Sequence, residues 1–459
     1  MRNLSRLLAL LLGVFLILTQ ISACAGKQPS KDASASQSQS QKEGGMTSGE
    51  PEPLTLPIVQ KPMTFTWFQD VEAFVRDVMK TLGDSEAVQE AEKRTGIHIE
   101  FNHPPAGKAA EKLNLMIATG ELDDVIWGAS AVPGGAASLI KNGSIIKLND
   151  LIDKYAPNFK KVMKDNLDEK KYYTLPDGTL YMFPLLNIDK AFRGNNGYII
   201  RKDWLDALGL KMPTTIDELY TVLKAFKEKD PNGNGKPDEV PLVFNKSVDI
   251  GTFAVAWGIK VGFYVDNSTV KYGPIQPEFK DYISTMRKWY VEGLFDPEFS
   301  ISDAKKTDSK MTGNIAGVLV NASMSGNLGR YLGLAEAKGG SKFDLAPMPY
   351  LKTASGKTFT PRDDPSAVVS SGLSISSKAK NLKELVKYID YRYSEEGRTL
   401  FYWGTEGKSF VTKNGKREFT DLITKNPNKL TIEQASAKYA LSVVVKPGLG
   451  DAEARNQIK

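Results

Sequence analysis

Ten residues of this 459-residue chain carry a spacing that suits metal chemistry: Asp230-Pro-Asn232-Gly-Asn234-Gly-Lys236-Pro-Asp238-Glu239. Side-chain oxygens stand at the first, third and fifth positions and glycine at the sixth, which lets a loop fold tightly around a hard cation such as calcium. Asp238 and Glu239 can complete the shell, and Lys236 can offer its backbone carbonyl. The twelfth position is Pro241 instead of a bidentate glutamate, and Val240-Pro-Leu-Val-Phe244 reads as a strand, not a second helix. The pattern therefore points to a structural calcium and away from a calcium-driven switch. An Asn/Gly-rich surface turn without metal is the other reading of the same letters.

A second chemical position is Cys24, the sole cysteine. Arg2 and Arg6 precede an apolar run from Leu7 to Leu18, and Ile21-Ser22-Ala23-Cys24 follows. This is the charged, apolar, small-residue layout of a secretory signal, too short for a comfortable membrane span. The motif ending on Cys24 resembles the lipobox of bacterial lipoproteins, which implies acylation of Cys24 and removal of residues 1–23. An ordinary signal peptide or an uncleaved anchor is the alternative. With Cys24 acylated, no thiol is left for a disulfide or a zinc site. Residues 24–60 begin with a Ser-, Gln- and Lys-rich tract and read as a disordered linker between membrane and body.

Enzyme chemistry finds little support. His98 and His103 are the only histidines, and their odd spacing along a strand would put them on opposite faces. No Gly-x-Ser-x-Gly elbow occurs, and the tract ending Gly407-Lys-Ser409 has Tyr402 where a phosphate loop needs its first glycine. Paired carboxylates for glycoside hydrolysis remain open, because Asp and Glu are common throughout. The net charge of +6 is mild, two of the positive charges lie in the leader, and no basic stripe occurs, so nucleic acid is not expected as a partner.

The elements that must carry these residues alternate. Met63–Phe68, Ile97–Phe101 and Asp124–Trp127 read as strands, with helices over 83–95 and 109–118 between them. That order implies crossovers and a largely parallel sheet. Such a sheet binds ligands beyond the carboxyl ends of its strands, where Trp67 and Trp127 stand; each could equally be a core or rim aromatic. Further on, Thr215 and Glu218 form a capping box for a helix over 215–227. Helices are also expected over 150–163, 203–208, 278–290 and 382–393, and strands over 198–200, 317–320 and 372–375. Trp204 and Trp289 fall within helices and read as packing.

Leu122-Asp-Asp-Val-Ile-Trp127, Leu148-Asn-Asp-Leu-Ile-Asp-Lys-Tyr-Ala-Pro-Asn158, the loop 230–241 and Tyr402-Trp-Gly-Thr-Glu-Gly407 together resemble the large lipoprotein branch of family 1 of the bacterial extracellular solute-binding proteins. The resemblance covers most of 62–448. It implies an α/β, two-lobed, periplasmic-binding-protein-like fold with a multi-strand hinge and a ligand cleft between the lobes. The first lobe is expected to hold residues 61–185 and about 300–375, and the second 186–299 and about 376–459. The implied function is a receptor for a carbohydrate importer driven by ATP. Its partners would be an oligosaccharide, the membrane permease subunits and, through Cys24, the outer face of the cell membrane, with the chain acting as a monomer.

A sugar cleft needs flat apolar faces for ring carbons and planar polar groups for hydroxyls. The candidates are Trp67, Asp70, Trp127, Arg193, Asn195, Trp257, Asn321, Trp403 and Glu406. For each, packing, capping or plain solvation is the competing reading. At the level of function, a receptor or sensor for peptides or other solutes, and a secreted polysaccharide-degrading lipoprotein, stand as rivals.

Overall fold

A computed structural model describes residues 50–189, 196–323, 327–337, 342–353, 356, 358–359 and 369–458. The leader, Cys24 and most of the expected linker lie outside the described residues. The last stretch of that linker is not free. Leu54, Ile58 and Val59 pack on the core, and Ile58 and Val59 donate to Thr95 O at 2.9 and 3.2 Å. The Glu52 carboxylate takes Lys383 and Lys387 at 3.1 and 2.9 Å. Residues 50–60 of the expected linker thus belong to the packed body.

In chain order the strands are Met63–Phe68 (β1), Ile97–Asn102 (β2), Val125–Trp127 (β3), Phe183–Leu186 (β4), Asn196–Arg201 (β5), Val240–Phe244 (β6), Phe263–Asp266 (β7), Thr269–Tyr272 (β8), Ala316–Ser323 (β9), Leu345–Met348 (β10), Val369–Ile375 (β11), Phe410–Lys413 (β12), Lys416–Phe419 (β13) and Gly448–Leu449 (β14). They form a six-stranded sheet ordered β14-β4-β11-β3-β1-β2, a four-stranded sheet ordered β10-β5-β9-β6, and two hairpins, β7–β8 and β12–β13. β1 runs parallel to both β2 and β3, as the strand–helix alternation predicts. β11 is antiparallel to both its neighbours, β3 and β4.

Each large sheet has its own core. Phe65, Ile97, Ile126, Phe183 and Leu373 belong to one, and Ile200, Leu242, Val318 and Trp289 to the other. This is the mixed two-lobed α/β architecture, but the lobe boundaries differ from expectation. β9 and β10 pair with β5, so most of 300–375 belongs to the second lobe and only β11 to the first. The chain after 376 also joins the first lobe: Leu385 and Ile389 enter its core, and β14 pairs with β4. A strand joins whichever edge its apolar pattern and register fit, and sequence order alone does not reveal that a late strand is inserted between two early ones.

The helices follow local rules. Thr215 and Glu218 close the expected capping box on Ile216–Glu228. The helix expected over 150–163 is two, Asn149–Tyr155 and Pro157–Asp165, because Pro157 cannot continue the first but suits the start of the second. Buried Asp390 serves that second start, accepting from Asn158 N, Asn158 Nδ2 and Phe159 N at 3.2, 2.7 and 2.8 Å. Burial nevertheless pushes its carboxyl up to about 6.

Candidate binding cleft and cation loop

β1 and β3 deliver their carboxyl ends side by side. The register sets Trp67 opposite Val125, so Trp127 extends two residues past that level. The adjoining Asp124 ties the strands together: its Oδ2 accepts from Thr66 N at 2.8 Å, and its own N–H reaches Thr66 Oγ1 at 2.9 Å. Trp127 is half-buried, with Lys446 Nζ 5.7 Å from its ring centre. Gly128 follows at φ +88°, a left-handed turn that a side chain would strain. Around these ends lies a cavity of about 220 Å³ lined by Phe68, Asp70, Leu113, Trp127 and Val132, among others.

Asp70 is half-exposed and held in place. Its Oδ1 accepts from Val71 N at 2.9 Å and from Arg76 Nη2 at 3.1 Å. The preceding residue is anchored by His103, a contact that sequence reasoning missed. The His103 Nδ1–H donates to Gln69 O at 2.6 Å, while Nε2 accepts from Leu82 N at 3.1 Å. A ring that accepts at Nε2 must be neutral. Burial holds its pKa below the usual value, against the pull of the Gln69 carbonyl.

In the second lobe β6 and β9 run parallel, and β6 stops at Phe244, opposite Val320, while β9 continues to Ser323. Asn321 stands there at φ 55°, a left-handed conformation in which asparagine is tolerated. Its Nδ2 donates to Asp249 Oδ1 at 2.8 Å, and Asp249 Oδ2 accepts from Lys246 N at 2.9 Å. Trp257 ends the 3-10 helix Ser247–Trp257 half-buried, edge-on to Tyr282 at 5.5 Å.

The structure thus brings Asp70 and Trp127 to one cavity and places Asn321 just past the level where β6 stops in the other sheet. The remaining expectations divide. Trp67 is fully buried: its Nε1 donates to Gln69 Oε1 at 3.1 Å, and its ring packs on Phe101, so it offers no face to a ligand. Trp403 is also fully buried. It closes the helix Glu395–Trp403, with its Nε1 on Asp451 Oδ2 at 3.2 Å and Phe419 4.6 Å away. It is a core residue because the helix runs up to Gly404, where a loop was expected. Glu406 is exposed in the turn before β12. Arg193 and Asn195 lie outside the described residues. Trp204 and Trp289 are buried, as their helical placement predicts.

Loop 230–239 joins the helix Ile216–Glu228 to β6, so a strand does follow it. Asp230 Oδ1 accepts from Asn234 N at 3.1 Å and its Oδ2 from Gly235 N at 2.9 Å. Asn232 Nδ2 and Asn234 Nδ2 each reach Asp238 Oδ1, at 3.2 and 3.1 Å. Both oxygens of Glu239 are buried without a hydrogen-bond donor. Burial pushes the Glu239 carboxyl up, and Asp230 and Asp238 add to the rise. Gly233 and Gly235 hold positive φ, with open space where a Cβ would stand. Among the described residues, no group of three or more His, Cys, Asp or Glu side chains is arranged to hold a metal. The asparagine oxygens are engaged by the loop's own backbone, Asn232 Oδ1 accepting from Asn234 N at 3.0 Å and Asn234 Oδ1 from Lys236 N at 2.7 Å. The orphaned Glu239 carboxylate, with Asp230 and Asp238 beside it, is the feature of this loop that a hard cation would satisfy.

No helix among the described residues is long and apolar enough to cross a membrane. The chain is 32% identical over 341 residues to the fructooligosaccharide ABC transporter substrate-binding protein FusA of Streptococcus pneumoniae, an alignment covering 70% of this chain and 60% of FusA. It is 27% identical over 368 residues to lipoprotein LipO of Bacillus subtilis, covering 78% of this chain and 70% of LipO. Among solved structures, the alginate-binding protein AlgQ2 without calcium ion matches with a TM-score of 0.72 and 29% identity over 87% of this chain and 80% of AlgQ2. FusA in complex with kestose matches with a TM-score of 0.68 and 28% identity over 86% and 80% of the two chains. An EF-hand mutant of FusA in complex with fructo-nystose gives a TM-score of 0.65 and 27% identity over 85% and 78%. The family model described as bacterial extracellular solute-binding protein matches residues 81–399, and with the two sheets and paired strand ends described above this chain belongs to that family.

Proposed function

We propose that this chain is the extracytoplasmic receptor of an ATP-driven carbohydrate importer, anchored by lipid at Cys24, and that it captures an oligosaccharide between its two lobes. The observation that carries this reading is the cavity shared by Trp127 and Asp70, an aromatic face beside a fixed carboxylate at the carboxyl ends of parallel strands. Ring carbons stack on the indole, and hydroxyls donate to Asp70. Asp249 and Asn321 present the matching polar group from the second lobe. Closure about the segments joining the lobes stabilises the bound state by the ligand's extra affinity for it, and the permease subunits would read that closed state. No covalent step is needed. The naming of FusA for fructooligosaccharides supports the sugar class, and that of LipO supports the anchor.

Asp230, Asn232, Asn234, Asp238, Glu239 and the Lys236 carbonyl would hold a structural calcium. The ion would supply the positive charge that the three neighbouring carboxylates lack. Its role would be to stiffen the turn leading into β6, whose far end carries the Asp249 region.

The test is melting of the soluble fragment lacking Cys24 against a panel of oligosaccharides, with and without calcium. A ligand at 100 times its dissociation constant adds about 2.7 kcal/mol of stability, a shift of several degrees. One sugar class raising the midpoint without product release supports the receptor. A flat panel with calcium present moves the reading to a peptide or sensor role, and sugar breakdown moves it to an enzyme. For the anchor, a Cys24→Ser protein that is processed as before and stays in the membrane fraction would defeat the proposal.

A further inference from the structure

The wall of the Trp127 cavity is almost entirely carbon. Phe68 and Leu113 form its depth at 1% and 4% exposure, flanked by Val132, Ala109 and Ala110. Its polar side chains, half-exposed Asp70 and exposed Asn114, stand toward the mouth. The backbone donors along one side are already engaged: Gly128 N–H goes to Gly372 O at 3.2 Å and Ala131 N–H to Gly128 O at 3.0 Å. A hydroxyl driven into this space finds no partner, and each buried unpaired hydroxyl costs about 1–3 kcal/mol, roughly 5- to 150-fold in affinity. Ordinary hexose edges carry such hydroxyls on nearly every carbon.

Resting on the receptor reading above, we propose that this cavity selects saccharides carrying a methyl group, as a 6-deoxy carbon or an O-acetyl cap, and seats that methyl against Phe68 and Leu113. The ring of the same sugar unit lies over Trp127, and its remaining hydroxyls face Asp70 and Asn114 at the mouth. The polar mouth and apolar depth together demand an amphipathic sugar. At about 220 Å³ the cavity leaves room for either substituent.

The experiment is calorimetric titration of the soluble fragment with matched oligosaccharide pairs. One pair differs only in 6-deoxy against 6-hydroxy, the other only in O-acetyl against free hydroxyl. The expected result is a preference of tenfold or more for the methyl-bearing member of at least one pair, and the pair that shows it identifies the source of the methyl. Ala110→Leu, at an exposed helical position that tolerates bulk, should shrink that ratio toward one by filling the cavity. The ratio is the readout, with the melting midpoint as a folding control. Equal or weaker binding of the methyl-bearing members overturns the pocket assignment and leaves the receptor standing. Binding by no saccharide at all overturns both.

Discussion

Trp67 and Trp127 stand next to the end and at the end, respectively, of two hydrogen-bonded strands of one sheet, and only Trp127 lines the cavity. Trp67 lies opposite Val125, inside the helical layers, with the buried Arg392 guanidinium 5.6 Å from its ring. Trp127 lies two residues higher on the neighbouring strand, one residue beyond the level of Phe68, the last residue of β1. Residue type and strand assignment are the same for both. The stagger between the strands decides which ring is core and which is available.

Truncating each ring is the most direct way to break that contrast. Trp67→Ala is expected to cost about 3–5 kcal/mol of stability, the range for emptying a core aromatic site. Urea unfolding would show it as a lower midpoint. If Trp67→Ala melts like the wild type yet loses ligand, the contrast is wrong. The loop in the second lobe gives the next largest effect. Calcium at 100 times its dissociation constant should stabilise the wild type by about 2.7 kcal/mol, and Asp230→Ala should abolish that response in a thermal melt with and without chelator. A wild-type midpoint indifferent to calcium would remove the ion from the account. Trp127→Ala should then lose tenfold or more in sugar affinity by titration, with a melting midpoint close to that of the wild type.

The smallest effect sharpens the picture at the strand ends. His103 fixes Gln69, beside Asp70, through a neutral ring. Burial lowers its pKa in the folded state, so its contribution is complete above the unfolded value of about 6.5 and is lost as pH falls below it toward the folded value. Two carboxyls act in the opposite direction. Glu433, raised to about 7 by burial, and Asp390, raised to about 6, contribute fully below about 4.5 and 3.8 and lose that contribution as pH rises through their folded values. The informative quantity is therefore the difference between wild type and His103→Gln across pH 5 to 7.5. The variant's melting profile should fall less steeply on the acid side.

What was legible in the sequence was local. The spacing of Asp230, Asn232, Asn234 and Asp238 is short-range, and a tight loop does form there with a strand after it. The Thr215–Glu218 box and the strands ending at Phe68 and Trp127 also follow from nearest-neighbour rules. What escaped was set by distant packing. Trp403 looked loop-borne because Gly404 follows it, but β12–β13 and Asp451 enclose it. The cavity wall comes from three separated stretches, 68–70, 109–114 and 127–132, whose convergence no spacing announces. The clamp made by His103 depends on Leu82 and Gln69, 21 and 34 positions away. The lobes were misassigned for the same reason, since nothing near 316–323 or 345–348 reveals that those strands pair with β5.

The antiparallel strand β11 has a consequence for how the chain is made. It sits between β3 and β4, yet it emerges only after the second lobe's strands have all been synthesised. Residues 196–353 therefore hold their whole sheet in one unbroken run and can complete it early. The first sheet cannot close: until Val369–Ile375 arrives, the facing edges of β3 and β4 have no strand between them, and open edges of this kind recruit other chains. In synthesis from the amino terminus, the lobe that begins first therefore finishes last.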